Sequence, residues 1–400
     1  MSDTAVELPR QATAEQPGAG SNRRWLRLLP LTALLLVLLV LPLYVGGFWL
    51  RTGFAVAGAV IGAVGLNLLT GTTGQLSLGH AFFLAVGAVT YVYVSGHSEG
   101  GATRVSGLGL PPLVGMVLGV AMAGLAGLLF SPIAARLRGI YLGVASLGLV
   151  FIGQHLLNTW SSVTGGFNGR SVPPFSLFGF HFAADHPYLA VLGVPFGEAE
   201  RLWYLGLALA AGAMWFAANL LRSRPGRALQ TLRDSEVTAA VMGANVQGYK
   251  ARVFLVSSMY GGLAGVLYAL SIGSVAPDSF SLVLSVQFLA MIVLGGLGSV
   301  GGAALGACFV SALPLVFQQY AGSLPFIAQP GSPGIVASQA AAFLYGLAVV
   351  LVVLFEPGGL AGLARRFRRP VRVPARSGAG DPSAASQPPA QADPTGGSLS

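Results

Sequence analysis

Charge is what this 400-residue sequence has least of. Only 9% of it is Asp, Glu, Lys or Arg, against about 25% in an ordinary soluble domain, while 54% is hydrophobic. Lysine occurs once, at Lys250. Its setting, "YKARV", is not the G-x-x-x-x-G-K-[ST] pattern, so the chain has no phosphate-cradling P-loop. A single cysteine, Cys308, excludes an internal disulfide and is expected as a small packing residue in an apolar run. No Asp or Glu lies in the middle of any long apolar run. That removes catalytic carboxylate pairs, and also the intramembrane acid that proton- or sodium-coupled carriers use. The five histidines, at 80, 97, 155, 181 and 186, show no metal-ligand spacing apart from His181/His186 in a loop.

What is there, repeatedly, is Leu-, Val-, Ala- and Gly-rich sequence long enough to cross about 30 Å of hydrocarbon. Such runs fall at about 28–50, 53–70, 76–95, 109–130, 139–158, 202–221, 253–272, 283–298, 302–321 and 337–355. They lack the period-two alternation of a barrel, and backbone in lipid must be paired within its own segment. The expectation is an all-α polytopic membrane protein of about ten transmembrane helices. Residues 1–27 and 357–400 read as cytoplasmic tails, the second basic and then disordered, because they are rich in Ala, Pro, Gly and Ser. Residues 28–356 form the membrane domain. The first run is longer than a signal-peptide core and no secreted domain follows it, so it is kept as a span.

The net charge of +9 is distributed by side. With the N-terminus inside, 18 of the 22 Lys and Arg fall in inside segments; only Arg51, Arg104, Arg170 and Arg201 fall outside. This is the positive-inside pattern, so the basicity sets topology and is not a nucleic-acid footprint. Both termini are expected in the cytoplasm, 159–201 outside, and 222–252 as a polar inside loop. Spans two to five and seven to ten then run in opposite senses, so parity allows an inverted repeat.

The stretch "GLNLLTGTTGQLSLGHAFFLAVGA" (65–88) interrupts apolar sequence with groups that need hydrogen-bond partners. Polar groups at membrane depth are tolerated where they are buried in protein or line a watery path. Thr72, Thr73, Gln75, Ser77 and His80 are therefore pathway candidates, with packing or capping as the alternative reading. Gln154 and His155, late in the fifth span, are weaker pathway candidates, and Asn67 and Asn158 are expected as caps near span ends. Gly71 and Gly74 let the helix break or let a neighbour approach. A second Gly-rich interruption at 294–307 does not occupy the equivalent place in the later half.

In the inside loop, Asp234 is the expected N-cap, Glu236 an acid in the first turn, and Gly243 the stop of a two-turn helix. Val237, Ala240 and Val241 share one face of it. Such a helix suits either a groove on another protein or a bed of anionic lipid.

The string "SRPGRALQTLRDSEVTAAVMGANVQGYKARVFLVSSMYGGLAGVLYA" (223–269) resembles the EAA-type coupling loop of bacterial ABC importer permeases. In particular it resembles the LivM-like half of the branched-chain amino acid transporter permease family. The stretch at 65–88, "RGIYLGVASLGLVFIG" (138–153) with "TWSSVTGGFNG" (159–169), and "QFLAMIVLGGLGSVGGAALGA" (287–307) resemble it in the same order, over about residues 53–355. The resemblance implies a type II-like permease in the bacterial inner membrane. A sister permease, two cytoplasmic ATPases and an extracytoplasmic solute-binding protein are its implied partners. ATP and Mg would be held by the ATPases, with no cofactor on this chain. By position, Glu236, Ala239, Ala240 and Gly243 are the implied coupling residues, with Arg227 and Arg233 beside them. The chain departs from the family pattern at Ala240, where a second acid is common, and at Phe151 and Gln154, where a Glu and an Arg are common. Branched-chain amino acids are the implied solute, with urea and short amides served by relatives. A stand-alone channel or secondary transporter is the alternative function, and a non-transport scaffold would leave the polar interruption unexplained.

The topology is checked by cysteine labelling in a Cys308→Ala background. Ser176→Cys and Ser235→Cys are expected to react with an impermeant thiol reagent from opposite sides of the membrane. Reaction from the same side rules out the ten-span arrangement.

Overall fold

The computed structural model describes residues 32–98, 105–137, 139–177, 180–182, 189–191, 194–320, 334, 336–355 and 358–362. The tail expected at 1–27, the tail beyond 362, and Arg104, Arg138 and His186 lie outside the described residues.

The chain runs through α1 (Thr32–Leu43), α2 (Gly47–Thr73), α3 (His80–Ser95), α4 (Pro112–Arg136), α5 (Ile140–Thr159) and the single turn α6 (Ser161–Thr164). It continues through α7 (Glu198–Arg222), α8 (Arg224–Asp234), α9 (Glu236–Val241), α10 (Val246–Ile272), α11 (Leu282–Gly295), α12 (Val300–Gln319) and α13 (Ala337–Phe355). Among the described residues, seven helical segments are long and apolar enough to cross a membrane, one of them α11 together with the 3-10 turn before it (Pro277–Gly295), and three shorter apolar helices lie at Thr32–Leu43, His80–Ser95 and Gln339–Val352. The fold is that of an all-α polytopic membrane protein.

Several boundaries move from their expected places. The first run is cut at Tyr44–Gly46, after the 3-10 turn Leu41–Leu43 that holds Pro42, so Gly47–Leu50 begin α2 instead of ending a first span. Arg51 is thus not in a loop; it pairs with Glu198 at 3.3 Å. Glu198–Arg201, expected in the outer loop, form the first turn of α7. The loop expected inside is shorter than 222–252, because polar residues extend α10 back to Val246 and the unexpected α8 fills 224–234. Residues 358–362, expected in the closing tail, pack on the turn before α12: Ala361 is buried, and a Cβ on Gly296 or Gly302 would crowd it. Cys308 is exposed on α12 beside Leu305 and Phe309, not packed inside; an all-apolar helix gives no sequence clue to which face is inward.

α2 and α10 form the centre and are the most deeply buried of the long helices. They cross antiparallel: Gly58 faces Leu267, Gly62 faces Ala264, and Gly65 faces Tyr260. α3 and α4 pack on α10, α7 packs on α2, and α11–α13 form a second layer against α2; α5 lies at the edge against α3. Gly87 of α3, Gly119 of α4 and Gly262 of α10 meet backbone to backbone. In lipid, where apolar surface gains little by leaving the solvent, such close van der Waals approach is what holds helices together.

Each central helix is 27 residues long and ends on a left-handed glycine, Gly74 at φ 68° and Gly273 at φ 78°. Short helices of 16 and 14 residues follow, then helices of 25 and 20, then 20 and 19. This matched order, led by two antiparallel helices, is the arrangement an inverted repeat produces.

The two long loops lie at opposite ends. At one, Arg170–Ser171 pair antiparallel with Ser274–Val275, just past the end of α10. Arg170 is buried there, donating to Ser106 O at 2.6 Å and His97 O at 2.9 Å. At the other end α8 and α9 lie against the start of α10, a helix about 40 Å away end to end at 1.5 Å per residue.

Gly87→Val tests the backbone packing, because its side chain would enter the backbone of Gly262. Overpacking costs about 1–3 kcal/mol, so the melting temperature in detergent is expected to fall by roughly 5 °C. Gly212→Val, with nothing within 4 Å of its Cβ, is expected to leave it unchanged.

Candidate functional site

α2 stops where the sequence turns polar. Thr72 and Thr73 turn their hydroxyls back onto the carbonyls of Leu68 and Leu69, and Gly74 closes the helix on Thr70 O. Residues 74–79 then run without helix to His80. Serines on other helices meet the freed backbone. Leu78 N donates to Ser146 Oγ of α5 at 2.8 Å, and Ala81 N, in the open first turn of α3, donates to Ser285 Oγ of α11 at 3.0 Å. Gly79 is needed because a Cβ there would sit 2.8 Å from Ser146 O.

The pathway candidates separate accordingly. Thr72 and Thr73 bond within their own helix, and Ser77 Oγ accepts from Gly79 N at 3.4 Å. All three hydroxyls are engaged locally. Gln75 differs: it is 6% exposed, and both of its amide atoms are buried without a partner. His80 packs edge-on against Phe288, ring centres 5.1 Å apart, and leaves Nε2 unpaired. Thr70 Oγ1 is also buried and unpaired; sequence reasoning passed it over, although it opens the same Thr-Gly-Thr-Thr run. Gln154 and His155 do not join this group. His155 is exposed on α5, about two and a half turns beyond Ser146, and Asn158 Nδ2 donates to Gln154 O, a local bond close to the expected cap.

The second Gly-rich interruption lies against the first. α11 ends at Gly295, and Gly296 and Gly298, at φ 108° and 81°, turn the chain into α12. Asn67, expected only to cap, accepts from Gly298 N at 2.9 Å through Oδ1 and donates to Ser299 O at 3.1 Å through Nδ2. A single side chain thus satisfies one donor and one acceptor of the turn. Gly71 permits this, since a Cβ there would overlap both Asn67 Oδ1 and Gly298 N.

In the inner loop, Ser235 holds the cap that Asp234 was expected to hold. Its extended backbone separates the two helices, its Oγ accepts from Thr238 N at 3.2 Å, and Asp234 ends α8. Gly243 stops α9 as expected, at φ 81°. Ala239 is buried, while Ala240 is exposed together with Val237, Val241 and Met242, the last three at 70%, 83% and 77%. Glu236 is in the first turn as expected, and it pairs through Oε1 with Lys250 Nζ at 2.6 Å; the Lys250 side chain is only 2% exposed. Arg227 is exposed and donates to Arg222 O at 3.3 Å. Arg233 turns toward the bundle and donates through Nη1 to Gly71 O at 2.7 Å. That carbonyl lies in the last turn of α2, where helical donors run out and a cation is favoured by the helix dipole. Among the described residues, no cluster of three or more His, Cys, Asp or Glu could hold a metal ion.

The family model described as "Branched-chain amino acid transport system / permease component" matches residues 50–354. The chain is 33% identical over 253 residues to the high-affinity branched-chain amino acid transport system permease protein LivM of Escherichia coli (strain K12), covering 60% of this chain and 56% of that protein. LivM of Salmonella typhimurium gives the same figures. A probable branched-chain amino acid transport permease protein LivM of Methanocaldococcus jannaschii is 24% identical over 330 residues, covering 74% of this chain and 88% of that protein. The chain therefore spans 56% of the length of the two enterobacterial relatives. No solved structure matches it. The family match takes in both helix breaks and the loop between them, and the chain belongs to the branched-chain amino acid transport permease family.

Proposed function

We propose that this chain is the permease subunit of an ABC importer. With a sister permease it forms the path across the cell membrane for branched-chain amino acids or a related small polar solute such as urea or a short amide. Two cytoplasmic ATPases, carrying ATP and Mg, power it, and an extracytoplasmic solute-binding protein loads it. Both termini then face the cytoplasm. The observation that carries this reading is α9: a short helix on the most polar loop of the chain that leaves Val237, Val241 and Met242 exposed. An apolar knob on a water-facing loop fits a cleft on another protein. A stand-alone channel has no use for it.

The chain's residues divide the work. Ala239, Ala240 and Gly243 set the fit and the end of α9, while Ser235 and the Glu236–Lys250 pair hold its angle. Gln75 and His80 Nε2, unpaired at the break, offer a donor and acceptors to a solute that leaves water. Thr72, Thr73 and Ser77 keep the break's own backbone satisfied. In this conformation Gln75, Ser77 and His80 are all buried, so the break is closed over, and ATP-driven movement of the loop opens it.

The direct test is uptake of leucine and of urea into proteoliposomes holding the assembled transporter, with ATP inside. Uptake that requires ATP and the binding protein is expected. Gln75→Leu removes about 1–1.5 kcal/mol of hydrogen bonding and is expected to slow uptake roughly tenfold while the ATPases still co-purify. Undiminished uptake would return Gln75 to packing.

The loop is tested by exchanging its charges. Glu236→Lys alone and Lys250→Glu alone each break a pair with one buried member, at about 3 kcal/mol, and are expected to release or uncouple the ATPases. The double exchange Glu236→Lys with Lys250→Glu is expected to restore most coupling. If Glu236 contacted an ATPase instead, the double exchange would recover nothing.

A further inference from the structure

Three chain segments, distant in sequence, meet where α2 ends. Arg233 arrives from α8, the α11–α12 turn arrives with Gly298 and Ser299, and α2 contributes Asn67 and Gly71. Arg233 Nη1 bonds Gly71 O, and it lies 3.4 Å from where a Cβ on Gly298 would sit, so the guanidinium is bonded to α2 and stands beside the turn, which Asn67 holds to the same helix end. We infer that Arg233 is a positioning residue that ties the inner loop to the α11–α12 turn through Gly71 and Asn67, and that it does not serve as a contact to the ATPase. This rests on reading α8–α9 as the ATPase docking loop.

The geometry gives the tie its stiffness. Ser235 separates α8 from α9 by one extended residue, so tilting α9 carries Arg233 with it. Gly71 O has lost its helical donor, so Arg233 is the bond that fills the place. Asn67, one turn back, fastens the turn by two bonds at 2.9 and 3.1 Å, so the turn cannot swing about a single contact. Gly296 and Gly298, both at positive φ, are the places where the turn can yield. The second tie of the loop, Glu236 to Lys250, runs to α10. A displaced α9 therefore bears on both central helices, but only Arg233 reaches the break.

The experiment compares wild type with Arg233→Gln, Arg233→Lys and Asn67→Leu in the complete reconstituted transporter. It reads ATPase co-purification, solute moved per ATP hydrolysed, and the spin-label distance between Gln230→Cys and Gly301→Cys in a Cys308→Ala background. Arg233→Gln is expected to keep the ATPases bound, to lower solute per ATP at least tenfold, and to broaden a distance that in wild type stays narrow with and without ATP. Asn67→Leu is expected to do the same. Arg233→Lys, which can still donate to Gly71 O, is expected to recover part of the ratio. Loss of the ATPases in Arg233→Gln would make Arg233 a docking contact and overturn the inference. Wild-type ratio and distance in that variant would overturn it too. If wild type itself binds no ATPase, the docking reading fails, and this inference falls with it.

Discussion

Where α2 stops at Thr73, every N–H and C=O released from the helix has to be met from within the chain, because hydrocarbon offers no partner and each orphan costs several kcal/mol. Much of the arrangement around α2 follows from that requirement. Ser146 brings α5 to Leu78, and Ser285 brings α11 to Ala81. Arg233 brings the inner loop to Gly71, and Asn67 brings the turn before α12. Four elements converge on one discontinuity: three arrive with a group that the backbone there lacks, and the turn has its own donor and acceptor met by Asn67. What the requirement leaves over is as informative: the Gln75 amide and His80 Nε2 are near the same place and meet nothing.

The rest of the bundle is held by fit. Glycines at the contacts of α2, α3, α4 and α10 bring backbones together, so the interfaces consist of many weak attractions that a single extra methyl group would spoil. Fit of this kind supports rigid helices that shift as bodies. Polar ties such as Asn67 to Ser299 then fix which bodies shift together. The Glu236–Lys250 pair adds a tie between α9 and α10, where the partly exposed carboxylate keeps the buried ammonium from being stranded.

Hydropathy and glycine are local signals, and what they encode was legible in the sequence: membrane helices, the break after Gly74, the stop at Gly243, and the exposed Val237 and Val241. The match to the permease family was legible too, from four ordered stretches of sequence. Contacts between distant residues were not. Nothing in the spacing of Asn67 and Gly298, or of Arg233 and Gly71, announces that they touch. The Glu236–Lys250 pair was equally hidden, because both residues stand on a loop where a charge facing water is the ordinary expectation. Asp234 and Ser235 are adjacent and both good caps, so composition could not choose between them; the extended backbone at Ser235 does. Cys308 shows the remaining blind spot, since in lipid both faces of a helix are apolar and the buried one carries no mark.

The burial of Lys250 changes the surface chemistry of the whole protein. It is the only lysine among 22 basic side chains, and at 2% exposure with its ammonium against a carboxylate it is closed to acylating reagents and to enzymes that modify amines. The permanently charged side chains left to meet a phosphate are therefore all guanidinium, which can grip a phosphate through two parallel bonds and does not lose its proton below about pH 12. The charge on these groups accordingly persists at alkaline pH, past the range in which an exposed ammonium loses its proton.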